Sequence, residues 1–325
     1  MKKIKVIAVK DSYKYYNGVL NMGLNISGNS TIRKAAGKGV GFNREKLVEL
    51  LLAMCAAISI LAIILITVFI FAKGFPLIFK TGLSDFLLEM KWSPSRGSFG
   101  IATMFIGSII ITLLSLLWAV PLSITVAIFM AEVAPRRVGK ILGSLVELLA
   151  GIPSVIYGFF GLIVIVPFIR DHLGGNGLSV LAGAMVLGVM ILPTIINISR
   201  DSILAVPGEY KEGSLALGAS HYQSIRRVIL PAARSGIITA VVLGMGRAIG
   251  ETMAVVMVTG NSTIIPDGPL SPVRTMTSNI VLEMGYAVGD HQAALFATGA
   301  VLFIFIVILN LMLTIAAKDG YNASK

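Results

Sequence analysis

Six apolar runs between residues 47 and 317 decide what this chain can fold into. As a helix, about 20 residues cross a hydrocarbon core about 30 Å thick. Residues 47–72 make the first span. A mixed connection over 74–100 follows, with Phe75 and Trp92 where interfacial aromatics belong. Residues 101–134 are too few for two spans of about 17 residues each and a turn, so one long helix bent at Pro121 is expected. In 138–169, Glu147 and the Gly151, Ile152, Pro153 break interrupt the pattern. A half-helix followed by a span from Ser154 accounts for both. A tight turn at 174–177 leads to spans at 178–198, 236–260 and 293–317. The expected fold class is therefore an all-α membrane protein with six transmembrane helices, and no repeat with a period of 20–50 residues is visible.

Charge supports the membrane reading and orients it. Charged residues make up 13% of the chain, against about 25% in soluble domains. The net charge of +11 raises the question of nucleic acid, but the distribution follows the predicted spans. Basic residues crowd the first 48 positions, the turn at Arg136, Arg137 and Lys140, and the segment from Arg200 to Arg234. The opposite set of connections holds only Lys73, Lys80, Lys91, Arg96, Arg170 and Arg274. This is the positive-inside pattern. It places both termini and the segment 207–231 on the cytoplasmic side, with a lipid bilayer as partner and no nucleic acid. Residues 1–46 read as a basic cytosolic arm without a secretory signal, with a short strand possible where Ile4, Val6 and Ala8 alternate with lysines.

The most informative stretch is 207–258. A short helix starts near Pro207, and Gly218 lets the chain turn out of it. Ser220 followed three residues later by Gln223 is a capping-box pair, so a second helix starts near His221. On that helix Tyr222, Ile225 and Ile229 share a face, and Pro231 suits the first turn of the next apolar run.

These residues carry a resemblance. Glu212, Gly213, Ser214, then Gly218, then Val228, Leu230 and Pro231 resemble the EAA loop of ABC-importer permeases, in which Glu-Ala-Ala, Gly and Ile-x-Leu-Pro recur at this spacing. Gly213, Ser214 and Val228 depart from that pattern but keep its side-chain sizes. The stretches 246–254 and 151–158 resemble the phosphate-specific branch of that family, of PstC type. The resemblance covers the chain from about Lys46 onward. It implies a MetI-like permease core over 101–317 with one extra N-terminal helix and its connection over 47–100, a cytosolic coupling loop over 201–231, and a short cytosolic tail over 318–325. It also implies inward transport of phosphate, a dimer of separate ATPase subunits, a second, PstA-type permease and an extracytoplasmic phosphate-binding protein. A permease of the same family for another oxyanion or polar nutrient would carry the same loop. A secondary transporter, which needs no ATPase, would be expected to show inverted repeats and broken helices around a midplane site.

The chemistry of an enzyme is missing. No G-x-x-x-x-G-K-[ST] loop is present, since Gly139 and Lys140 are followed by Ile141, and no catalytic triad or zinc spacing occurs. Cys55 stands alone, and His172, His221 and His291 are far apart, so no metal or other cofactor is expected. Within the apolar surroundings stand Glu147, Pro153, Arg247 and Glu251. A charge there costs about 2.5–3.5 kcal/mol on insertion scales and marks function by default. Arg247 and Glu251, four residues apart, would share a helix face. They read either as a structural ion pair or as a guarded positive charge on an anion path. Gly246 and Gly250 are spaced for close approach of another helix. Glu147 is expected near the cytoplasmic interface, where a carboxylate reaches water or an arginine.

Overall fold

The structure, a computed structural model, describes residues 42–322. Nearly all of the basic arm expected over 1–46, its possible strand, and the last three residues of the tail lie outside the described residues. The described residues divide into two units, 42–65 and 66–322. In the first, residues 42–65 are helical and largely apolar from Leu47 onward, the pattern of a membrane span. Six helices among the described residues are long and apolar enough to cross a membrane.

The first helix, α1 (Phe42–Thr81), outlasts its expected end by several residues. Gly74 explains why it continues: a Cβ there would lie 2.7 Å from the Ala297 backbone nitrogen, so the glycine lets two helices touch. Leu77 and Ile78 are then buried rather than solvated. After α2 (Leu83–Leu88) comes a small hairpin, β1 (Trp92–Ser93) and β2 (Ser98–Phe99), which sets Trp92 opposite Phe99.

Next, α3 runs over Ala102–Ile128 and continues through a π turn at Phe129–Val133, with Pro121 inside it. The half-helix expected before the proline break is α4 (Arg136–Gly151), and α5 (Ser154–His172) is the span that follows. The centre of the second unit is α6 (Val180–Leu204), the most buried of the six spans. Glycines set its distances to its neighbours. A Cβ on Gly188 would fall 2.1 Å from the Trp118 ring, and one on Gly244 would fall 2.6 Å from Ile195. Around these contacts lies one apolar core containing Ile111, Ala119, Leu187, Ile191, Ala240 and Val258. The loop between the last two spans closes over the start of α6, where the Ser271 and Pro269 carbonyls accept from the Val180 and Leu181 N–H groups.

The segment after α6 folds as its sequence predicts, because its signals are local. Helix α7 (Gly208–Ala216) ends at Gly218, whose φ of 84° only glycine adopts freely. The N–H groups of Gly218 and Ala219 bond to the carbonyls of Leu215 and Ser214, a Schellman closure. Ser220 then caps α8 (His221–Gly250), and both bonds of the capping box are present. Three expectations here need correction. Pro231 does not begin a separate helix: α8 is continuous from His221 through a π turn at Ile225–Ile229. A proline ring clashes with the carbonyl four residues back and offers no N–H, and a widened turn just before it accommodates both defects. Tyr222 is exposed while Ile225 and Ile229 are buried, so the three do not share one buried face. At its other end α8 stops at Gly250, so the span expected over 236–260 is broken. Glu251 is extended, and a short helix α9 (Met253–Val258) follows. Finally, α10 (Met276–Glu283) leads into α11 (Asp290–Asn322).

Candidate functional site

Two places gather the side chains singled out in the sequence. The first lies around the two helix breaks. The stretches 151–158 and 246–254, remote in sequence, are packed together here. A Cβ on Gly158 would come 2.8 Å from the Ala254 Cα, so α5 and α9 touch backbone to backbone. Pro153 holds the first break in extended geometry, and the Tyr157 hydroxyl reaches back across it to donate to the Leu149 carbonyl at 2.5 Å. The same carbonyl also accepts the Ile152 N–H at 3.4 Å, so the hydroxyl adds a second bond at the end of α4. Glu147 lies one turn before the break and is exposed. With Ser144, Leu148, Ile152 and Ile156 it lines an open groove of about 660 Å³.

Arg247 and Glu251 meet different partners from those their spacing suggests. The helix they would share ends between them, so they do not form an ion pair. Arg247 is exposed, and its Nη1 donates to Thr194 Oγ1 on α6 at 3.0 Å. The Glu251 carboxylate turns to the second break and accepts the Ala254 N–H at 3.1 Å, while the Glu251 carbonyl accepts from Thr277 Oγ1 at 2.9 Å. A carboxylate at a helix start satisfies free N–H groups and is favoured by the positive end of the helix. The arrangement leaves a guanidinium with a neutral partner and open surface, which is what reversible contact with an anion needs. The close helix approach falls at Gly244; Gly250 has nothing within 4 Å on its Cβ side, and Gly246 meets only Asn310 at 4.0 Å.

The second place is the loop built from α7 and the start of α8. Glu212, Gly213 and Gly218 are exposed, Ser214 and Val228 half-buried. Ser214 Oγ donates to the Lys211 carbonyl and is hydrogen-bonded to Ser224 Oγ at 2.6 Å, which clasps the two helices together. Leu230 joins a cluster with Ala127, Ile203, Ile225 and Ile229, seating the loop on the ends of α3 and α6, while Pro231 is exposed. The tip is apolar and open: Leu217 is 91% exposed and Tyr222 66%.

Several residues of consequence were not singled out in the sequence. Thr194 follows Pro193 in an apolar run, and that isolated hydroxyl was the only signal for it. Glu283 sits at the opposite end of α3, 7% exposed. It accepts from Trp92 Nε1 at 2.8 Å and pairs with Arg274 at 2.6 Å and His291 at 2.8 Å. It thereby ties the hairpin, α10, α11 and the loop before α10. Among the described residues no group of His, Cys, Asp and Glu could hold a metal ion.

The family described as binding-protein-dependent transport system inner membrane component matches residues 123–319. A probable ABC transporter permease protein YqgH of Bacillus subtilis (strain 168) is 46% identical over 240 residues, 72% of this chain and 78% of that protein. A phosphate transport system permease protein PstC of Xylella fastidiosa (strain 9a5c) is 36% identical over 297 residues, 84% of this chain and 91% of that protein. The fold is also that of a solved bacterial ABC transporter involved in import of the acidic polysaccharide alginate, with a TM-score of 0.61 at 15% identity over 86% of this chain and 98% of that one.

Proposed function

The chain belongs to the binding-protein-dependent transport system inner membrane components, and from that premise we propose that it is the permease subunit of an ATP-driven importer of inorganic phosphate. It is a multi-pass membrane component that works with an ATPase and a substrate-binding protein. In the finer reading, its partners are a dimer of ATPase subunits, a second, PstA-type permease and an extracytoplasmic phosphate-binding protein. Both termini face the cytoplasm. The relatives at about a third identity that are named as phosphate permeases support the substrate. The observation that carries the reading is the pair of places just described. An exposed guanidinium lies beside two helix breaks, and a loop with an exposed Leu217 and Tyr222 lies at the ends of α3 and α6.

The loop receives the ATPase, whose motion the chain needs because its sequence carries no phosphate-cradling loop of its own. Arg247 lowers the barrier that an apolar path sets against an anion. Its resting partner is a hydroxyl and not a second charge, so the guanidinium can meet an anion without an ion pair being broken first.

The test is ATP-dependent uptake into vesicles holding this chain with its partner permease and ATPase subunits. Labelled phosphate enters only with ATP and the binding protein present, and unlabelled sulfate does not compete. Uptake of sulfate or another oxyanion in preference to phosphate would move the substrate to that anion, and uptake without ATP would remove the ATP-driven reading.

A further inference from the structure

At the loop end of α3 one acidic residue touches both arms of the coupling segment, one through its side chain and the other through its backbone carbonyl. Glu132 lies in the π turn Phe129–Val133, and its side chain is 10% exposed. Its carboxylate pairs with Lys211 Nζ of α7 at 2.6 Å. Its carbonyl oxygen lies 3.2 Å from Nε2 of His221, the first residue of α8, a hydrogen bond when that nitrogen carries the proton. The Ser214–Ser224 bond already makes those two arms one body. The apolar contacts beneath them, Ala127 and Ile128 of α3 against Ile225 and Ile229 of α8, can slide over each other. A short, largely buried charge pair has a defined direction and cannot.

We propose that Glu132 is the positioning residue through which movement of the coupling loop is transmitted to α3 and so to the spans; the proposal rests on the reading of the chain as an ATP-coupled permease. A π turn suits the role. It is a local irregularity common at functional sites, and it lets the last turn of α3 follow the loop without loss of the helix above. Glu212, the acidic residue of the loop motif, is exposed and remains free to meet the ATPase. Glu132 faces inward and connects to the spans.

The experiment uses the assembled complex of both permeases, ATPase subunits and binding protein in vesicles, and measures phosphate imported per ATP hydrolysed. Glu132→Gln and Lys211→Met are expected to leave the complex assembled and hydrolysing ATP while importing at least about fivefold less phosphate per ATP, the lower edge of usual coupling between sites. The exchange Glu132→Lys with Lys211→Glu is expected to restore the ratio. A second readout needs no transported substrate: the ATP-dependent shift between spin labels at Leu117 on α3 and Ile163 on α5, both exposed, is lost in the two single variants. That readout decides on Glu132 even where vesicles of the unaltered complex import no phosphate, a result that would count against the substrate reading alone. An unchanged ratio and an unchanged label shift in the single variants would overturn the proposal. So would an exchange no better than its parents, or loss of assembly in Glu132→Gln beside normal behaviour of Lys211→Met.

Discussion

Arg247 of α8 reaches across to Thr194 of α6 at 3.0 Å and leaves Glu251, four residues further on, to the helix break. This geometry separates the two readings of the intramembrane charges. If Arg247 serves an anion path, Arg247→Gln lowers phosphate uptake per assembled complex by about tenfold or more, roughly 1.4 kcal/mol on the barrier, with assembly intact. Thr194→Val removes a neutral partner and lowers uptake less. The exchange Arg247→Glu with Glu251→Arg does not restore uptake, because no pair exists to be remade. Normal uptake in the exchange would return both residues to a structural role.

The exposed tip of the loop is expected to be energetic only in the complex. Leu217→Asp places a charge on a side chain that touches little in the chain itself, so the isolated permease keeps its stability within about 0.5 kcal/mol. Co-purification with the ATPase subunits falls sharply. Gly218→Ala differs, because the left-handed φ of 84° costs a side chain about 1–2 kcal/mol and loosens the turn before any partner arrives. Unchanged co-purification of Leu217→Asp would remove the tip from the docking surface.

Orientation is checked by cysteine labelling in sealed cells, with Cys55 replaced by serine. A cysteine at Ser220 should react only after permeabilisation, and one at Ser271 should react from outside. Labelling of Ser220 from outside would invert the topology.

At the other end of the bundle, Glu283→Ala leaves Arg274 without its charge partner. Removing one member of such a pair costs about 3–5 kcal/mol. The midpoint of thermal unfolding in detergent should fall accordingly. Removing Arg274 as well should return part of the loss, and additive losses in the double variant would show that the two side chains act separately.

The Gly188 contact gives a stringent test of the packing. A Cβ there would lie 2.1 Å from Trp118, so Gly188→Ala should destabilise the protein by about 1–3 kcal/mol. Combining it with Trp118→Leu should recover part of that in the same unfolding measurement, since the smaller side chain vacates the contested space. No coupling between the two substitutions would mean that α3 and α6 are not held at this distance.

What could be read in the sequence follows the range of the forces. Ser220 and Gln223 announce their capping box because both partners lie within four residues, and Gly218 announces its turn because the strain is its own. The spans are legible because length and apolar composition, both local properties, decide whether a helix can cross lipid. The break after Gly250 was hidden: it is held in part by Thr277, 26 residues beyond the Glu251 carbonyl. The partner of Arg247 was hidden for the same reason, being 53 residues back on another helix. Local periodicity therefore pointed to a pair within one helix where the fold makes contacts between helices.

The π turn before Pro231 fixes the phase of α8. One surplus residue in a helix of about 3.6 residues per turn amounts to a rotation of about 100° and an advance of about 1.5 Å. Everything on the His221 side of Ile225–Ile229 is therefore indexed separately from the span on the far side. Chain length at this point works as a rotary setting: a one-residue deletion in the turn would swing the docking tip a little over a quarter of the way around the helix axis relative to the span.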